Sequence, residues 1–226
     1  MVRDPEAHKK IWVEALGAQV TKTGTLELIK LPGVFLVLGK AEPADGSEGS
    51  SVDHFAFRVK DLAAAKARLS AAGVQIVRES AQPKEIVTMF PDKVKVEFYE
   101  DVSLSVPITH THLHFFTNDP DALRAWYVKV FGATSTPRGT GTVTSVPGSE
   151  FAFRKTDKPQ APTKGRSLDH IGFEVKGLEV FCKKLQAEGV TFETPYRDVP
   201  RIELKIAFLI DPAGTRIELT EGLAAH

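Results

Sequence analysis

Two long phrases of this chain place a histidine near the start of one segment and a glutamate near the end of a later one, and their repetition limits the fold more than any single motif. Val52-Asp53-His54-Phe55-Ala56-Phe57 parallels Leu168-Asp169-His170-Ile171-Gly172-Phe173, and the stretch from Pro91 to Glu97 parallels that from Asp211 to Glu218. A second layer repeats at nearly the same offset: Asp4 to Ala18 matches Asp119 to Ala133. Self-similarity of this kind marks a duplicated design, so a fold is sought that is built from repeated units.

With 226 residues and 42% hydrophobic content, the chain can bury one large core or two modest ones. Lys plus Arg and Asp plus Glu balance at 29 each, and no basic cluster is interleaved with aromatics, which argues against nucleic-acid binding and against an anionic membrane as partner. Apolar runs such as Ile206 to Ile210 are too short to span a bilayer, and the N-terminus lacks the apolar stretch of a signal peptide; a soluble, cytoplasmic protein is expected. The single cysteine, Cys182, permits no intrachain disulfide and no thiolate cage, and reads as a packing residue beside Leu178, Phe181 and Leu185.

The elements recur in one order. Asp4-Pro5 starts a helix carrying Ile11, Trp12, Ala15 and Leu16 and stopped by Gly17; strands follow at Thr25 to Lys30 and Val34 to Leu38, then a linker from Glu42 to Ser51. Next come a strand at His54 to Val59, a helix at Leu62 to Ala72, and strands at Val74 to Glu79, Ile86 to Phe90 and Val94 to Tyr99. The second half repeats this with strand Thr109 to Phe116, helix Ala122 to Phe131 and three short strands, then strand Leu168 to Val175, helix Leu178 to Glu188 and strands to Leu219. The fold class is therefore α+β, in tandem βαβββ units forming curved mixed sheets. Two paired-unit domains are expected, 1–105 and 106–226, with the opening strand of the first unit missing.

These phrases, together with Asp211 to Leu219 and Trp126 to Gly132, closely resemble the vicinal oxygen chelate superfamily, which includes glyoxalases, extradiol dioxygenases and bleomycin resistance proteins. The resemblance covers nearly the whole chain. It implies a cleft in which first-strand histidines and a last-strand glutamate bind a divalent metal. His170 lies seven residues before Gly177, where such chains begin the helix, and His112 lies seven before Asp119, so the resemblance assigns the metal to His112, His170 and Glu218, with Glu218 also catalytic. Strand alternation puts His110, His112 and His114 on one face and Arg216, Glu218 and Thr220 on another cleft-directed face. His114, Arg201, Glu203 and Lys205 are the expected substrate-binding residues, and Glu150 is a further candidate ligand.

His54 and Glu97 match His170 and Glu218, but the strand that would complete their site falls before Met1, so the N-terminal half is expected to be structural. The implied activity is that of a glyoxalase-like lyase or isomerase, using Fe, Mn, Zn or Ni to chelate a small substrate through vicinal oxygens. A metal-free, antibiotic-like ligand-binding protein is the rival. Ring cleavage is disfavoured, because Phe208 stands where the dioxygenases carry a tyrosine. A homodimer is compatible with the fold.

Overall fold

The computed structural model describes residues 1–138 and 141–225. The first unit consists of helix α1 (Pro5–Lys10), continued by a π-helical turn (Ile11–Ala15), and strands β1 (Gln19–Thr23), β2 (Leu26–Leu31) and β3 (Val34–Leu36). The second comprises β4 (Val52–Val59), α2 (Leu62–Ala71), β5 (Gln75–Ala81), β6 (Lys84–Phe90) and β7 (Val94–Glu100). The third comprises β8 (Ile108–Thr117), α3 (Pro120–Phe131), β9 (Thr134–Arg138), β10 (Gly141–Val146) and β11 (Ser149–Lys155). The fourth comprises β12 (Ile171–Glu174), α4 (Leu178–Ala187), β13 (Phe192–Val199), β14 (Leu204–Ile210) and β15 (Arg216–Glu221).

Helix starts follow local chemistry. Asp4, Asp61 and Asp119 each accept a hydrogen bond from the backbone N–H three residues on, satisfying a donor that the first helical turn leaves free. The fourth helix has Gly177 in that place, in the left-handed region at φ 70°, and the Glu221 carboxylate accepts from the N–H groups of Gly177 and Leu178 instead. Strand β1, absent from the expected elements, pairs with β2 along its whole length; its sequence QVTKT is too polar to advertise a strand.

The sheets do not divide at residue 105. A single eight-stranded sheet in the order β5-β6-β7-β4-β8-β11-β10-β9 joins the second unit to the third, while β12-β15-β14-β13 and β1-β2-β3 form separate sheets. The joint is the antiparallel β4–β8 ladder, in which His54 faces His114 and Ala56 faces His112. A short connection makes this pairing local: Lys60 N–H donates to the Pro107 carbonyl at 2.9 Å, so the chain leaves β4's neighbour β7 and returns directly alongside β4.

The first and fourth units meet elsewhere. Thr23 Oγ1 donates to the Ile202 carbonyl at 2.7 Å, and Gly24 lies so close to Arg201 that a Cβ there would stand 2.3 Å from its carbonyl oxygen. The core runs through all four units. Trp12, 2% exposed, stacks on Phe90 at 4.8 Å, and Tyr127 packs among Phe115, Phe151 and Phe153 while its hydroxyl donates to the buried Asp211 carboxylate at 2.9 Å.

Candidate metal centre

Strands β7, β4 and β8 place Glu97, Ala56 and His112 in one row, with His54 and His114 side by side in the next. Directly opposed residues share a sheet face, and the small Ala56 between Glu97 and His112 lets longer side chains lean together above it. The Nε2 atoms of His54, His114 and His112 lie 3.4, 3.5 and 3.9 Å from the Oε2 atom of Glu97. Donor atoms of His54, Glu97 and His114 all fall within 4.8 Å of one another, and all three residues are buried. His112 completes the ring from the outer side, its Nε2 2.8 Å from that of His114.

Surrounding groups aim these atoms inward. The Asp53 carboxylate sits 2.5 Å from His54 Nδ1 and is held in turn by Lys95 Nζ at 2.8 Å. With Nδ1–H donated to Asp53, Nε2 is aimed at Glu97, an arrangement that orients a ligating imidazole. Thr111 Oγ1 lies 2.5 Å from His112 Nδ1, and the His54 and His114 rings stack at 4.3 Å. Arg78 donates to Glu97 Oε1 at 3.0 Å and pairs with Glu85 at 2.6 Å, leaving Oε2 of Glu97 for the centre.

Buried polar atoms normally find partners. Here His54 Nε2 and Glu97 Oε2 are buried without a hydrogen bond, and they face each other. Burial, with His54 as a positive neighbour, pushes His114 down to about 3. Burial also lowers His112 to about 4, against the pull of Glu97. Glu97 falls to about 2, because His54 and Tyr99 outweigh its burial. His54 is raised: burial acts against its charge, but Asp53 and Glu97 together favour it. His112 and His114, kept neutral beside an ionised carboxylate, suit a divalent transition ion, and at His54 Nε2 a cation would take the place of the proton held there.

His110 does not share this face. A β-bulge at Thr111 shifts the register so that Phe57 pairs with His110, whose ring meets Phe57 edge-on at 5.8 Å and whose Nε2 contacts Ser149 Oγ at 3.0 Å. The bulge instead puts Thr109 opposite Arg58. Next to the bulge lies a groove of about 320 Å³ lined by Arg58, Thr109, His110, Thr111, Ser149 and Glu150 among others. Strict alternation misses the bulge because nothing in Thr109 to His114 announces an extra residue.

The expected set of His112, His170 and Glu218 is not brought together. His170 Nε2 is 3.2 Å from Glu218 Oε2, but His170 directly precedes β12 and Glu218 lies on β15 of the same four-stranded sheet, whereas His112 lies on β8 in the eight-stranded sheet beside His54 and Glu97. No third donor joins His170 and Glu218 to make a metal-sized group among the described residues. The reason is that β8 pairs with β4 of the preceding unit, which sets His112 and His114 of one half against His54 of the other. His54 and Glu97 of the N-terminal half thus stand beside His112 and His114 of the C-terminal half.

Arg201, Glu203 and Lys205 do not share a strand face. Arg201 lies in a 3₁₀ turn (Pro200–Ile202), and Glu203 follows in the left-handed region at φ 56°; the proline at the start of the turn interrupts the apparent alternation. Lys205 is on β14 opposite Glu221 and bridges to it at 3.2 Å, whereas the neighbouring Phe208 pairs with Glu218, placing Lys205 on the other side of the sheet. His114, expected to touch substrate, is instead one of the three clustered donors.

A paired-unit α+β fold with a His/Glu cluster in its sheet cleft defines a class of proteins, and the comparisons agree. The model of the Glyoxalase/Bleomycin resistance protein/Dioxygenase superfamily matches residues 1–102 and 109–219, and the chain belongs to this family. Glyoxalase I from Zea mays is similar at 15% identity with a TM-score of 0.72, covering 97% of this chain and 89% of that one. A Bacillus subtilis protein proposed to be a dioxygenase is similar at 13% identity with a TM-score of 0.71, covering 98% and 83%. At these identities the likeness concerns the fold. No curated protein matches the sequence. No described helix is long and apolar enough to cross a membrane.

Proposed function

We propose that the chain is a divalent-metal-dependent enzyme of the glyoxalase-like lyase or isomerase kind, acting on a small oxygenated substrate bound through vicinal oxygens, with its centre at His54, Glu97, His114 and His112. The observation that carries this reading is the orphaned, buried Glu97 Oε2 ringed by three imidazole Nε2 atoms. The ion would supply Lewis acidity, polarising substrate oxygens and stabilising negative charge that develops on them. The groove lined by Arg58, Thr111 and Glu150, the last across the ladder from His112, would receive the remainder of the molecule. There Arg58 would face an anionic group, and Glu150, directly across the ladder from His112, would accept a proton from the substrate. Buried side chains around His54 and His114 keep bulk water from the donors.

The expected catalytic role of Glu218 moves to Glu97 as ligand, and His170 with Glu218 becomes a hydrogen-bonded pair within the fourth unit. A metal-free binding protein is the second reading, favoured by one contact: His112 and His114 stand 2.8 Å apart, Nε2 to Nε2, and so satisfy each other without an ion. Elemental analysis of protein purified without added metal, then reconstituted with Fe(II), Mn(II), Zn(II) or Ni(II), separates the two. Near-stoichiometric binding abolished by His54→Ala supports the enzyme reading, and failure of every ion to bind favours the binding protein.

A further inference from the structure

The second and third units are copies, and comparing their ladders shows an exchange of donors. Each histidine seven residues before a helix cap, His54 before Asp61 and His112 before Asp119, marks the same place in its unit. Two residues further on stand Ala56 in one and His114 in the other. The last strand of each unit runs parallel to its first, and there Glu97 is opposite Ala56, while Ala152 is opposite His114. One unit therefore carries a carboxylate on its last strand and a methyl on its first; the other carries an imidazole on its first strand and a methyl on its last. The carboxylate that the repeat would put at position 152 is gone, and a ring stands on the neighbouring strand instead.

That ring belongs to the cluster. His114 is buried, stacks on His54 at 4.3 Å with the ring planes 15° apart, and holds its Nε2 at 3.5 Å from Glu97 Oε2. Resting on the reading of this cluster as a metal centre, we infer that it is a site of three imidazoles and one carboxylate, His54, His112, His114 and Glu97, and that it selects an imidazole-preferring ion such as Ni(II), Zn(II) or Fe(II) over Mn(II) or Mg(II). Imidazole suits the first group, whereas Mg and Mn favour carboxylate and carbonyl oxygen. With a single carboxylate, the loaded site also keeps one net positive charge, which a singly charged substrate oxygen would balance.

The test is competition for Ni(II) and Mn(II) against a chromophoric chelator, with wild type, His114→Ala, His114→Gln and the double variant His114→Ala with Ala152→Glu. Loss of the third imidazole is expected to weaken Ni(II) binding by about 100-fold. The double variant, which restores the two-carboxylate set implied by the repeat, is expected to narrow the Ni(II)-to-Mn(II) preference by about 10-fold or more relative to wild type. Counting shifted imidazole N–H signals in the proton NMR spectrum of Co(II)-loaded wild type needs no variant: three support the proposal and two overturn it. If His114→Ala binds Ni(II) as wild type does while His54→Ala does not, the metal centre stands and the three-imidazole site falls. If wild type binds neither ion, both readings fall.

Discussion

Asp53, His54, Lys95 and Glu97 repeat Asp169, His170, Arg216 and Glu218 in order and in contacts. In each set an aspartate holds Nδ1 of the next histidine, at 2.5 and 2.7 Å; a cation two residues before the glutamate steadies that aspartate; and Nε2 faces the glutamate at 3.4 and 3.2 Å. The surroundings separate them. The first set lies against β8, which adds His112 and His114, while the second lies at the start of β12, an edge strand of its sheet, and on β15 beside it, where Phe208 meets His170 edge-on at 5.5 Å. A metal-sized group of donor atoms is thus a property of the strand pairing rather than of the repeated phrase, because two such atoms become three or four only where a second unit supplies them.

The largest expected effect breaks this symmetry directly. Glu97→Ala should lower metal affinity by about 100-fold or more, whereas Glu218→Ala should leave it unchanged, as measured by chelator competition. Next in size are the aspartates. Asp53→Asn should weaken metal binding by about 10-fold or more, since it orients a ligand. Asp169→Asn should instead cost stability, about 1–3 kcal/mol by denaturant unfolding, because the carboxylate binds Arg216, His170 and the Gly165 N–H.

A pH comparison sharpens the contrast. Burial works against charge on His170, but Asp169 and Glu218 outweigh it and raise the group to about 9. The charged form is therefore favoured in the folded chain. Its contribution to stability is fully present below the ordinary histidine value of 6.5 and is lost as pH rises through about 9. Melting temperatures of wild type and His170→Gln should converge between those limits, and a gap that persists unchanged at higher pH would contradict the assignment. The smallest effects belong to the turn and the outer face: Arg201→Ala and Lys205→Ala should leave metal affinity unaltered and shift stability by about 0.5 kcal/mol or less.

Much of the architecture was legible from residues alone, for local reasons. Asp4, Asp61 and Asp119 announce helix starts, and the matched histidine and glutamate phrases reveal the repeat; both are written within short windows. The clustered residues were each visible, but in other roles: His112 as a ligand, His114 as a substrate contact, and His54 and Glu97 as an incomplete copy of His170 and Glu218. Which unit pairs with which was not readable, because the β4–β8 ladder depends on a register between segments about 60 residues apart. Grouping the chain by halves gave His112 to His170, whereas the short return through Pro107 gives it to His54. The bulge at Thr111 and the turn at Pro200 hid for a related reason: each adds or bends a residue inside a run that still alternates on paper.

The central claim is that the cation sits between the second and third units. Crystals of protein loaded with Co(II) or Ni(II), measured at the absorption edge of the ion, test it most directly through the anomalous difference map. The account predicts one dominant peak within bonding distance of Glu97 Oε2 and His54 Nε2. A dominant peak between His170 and Glu218, with none at Glu97, would contradict it.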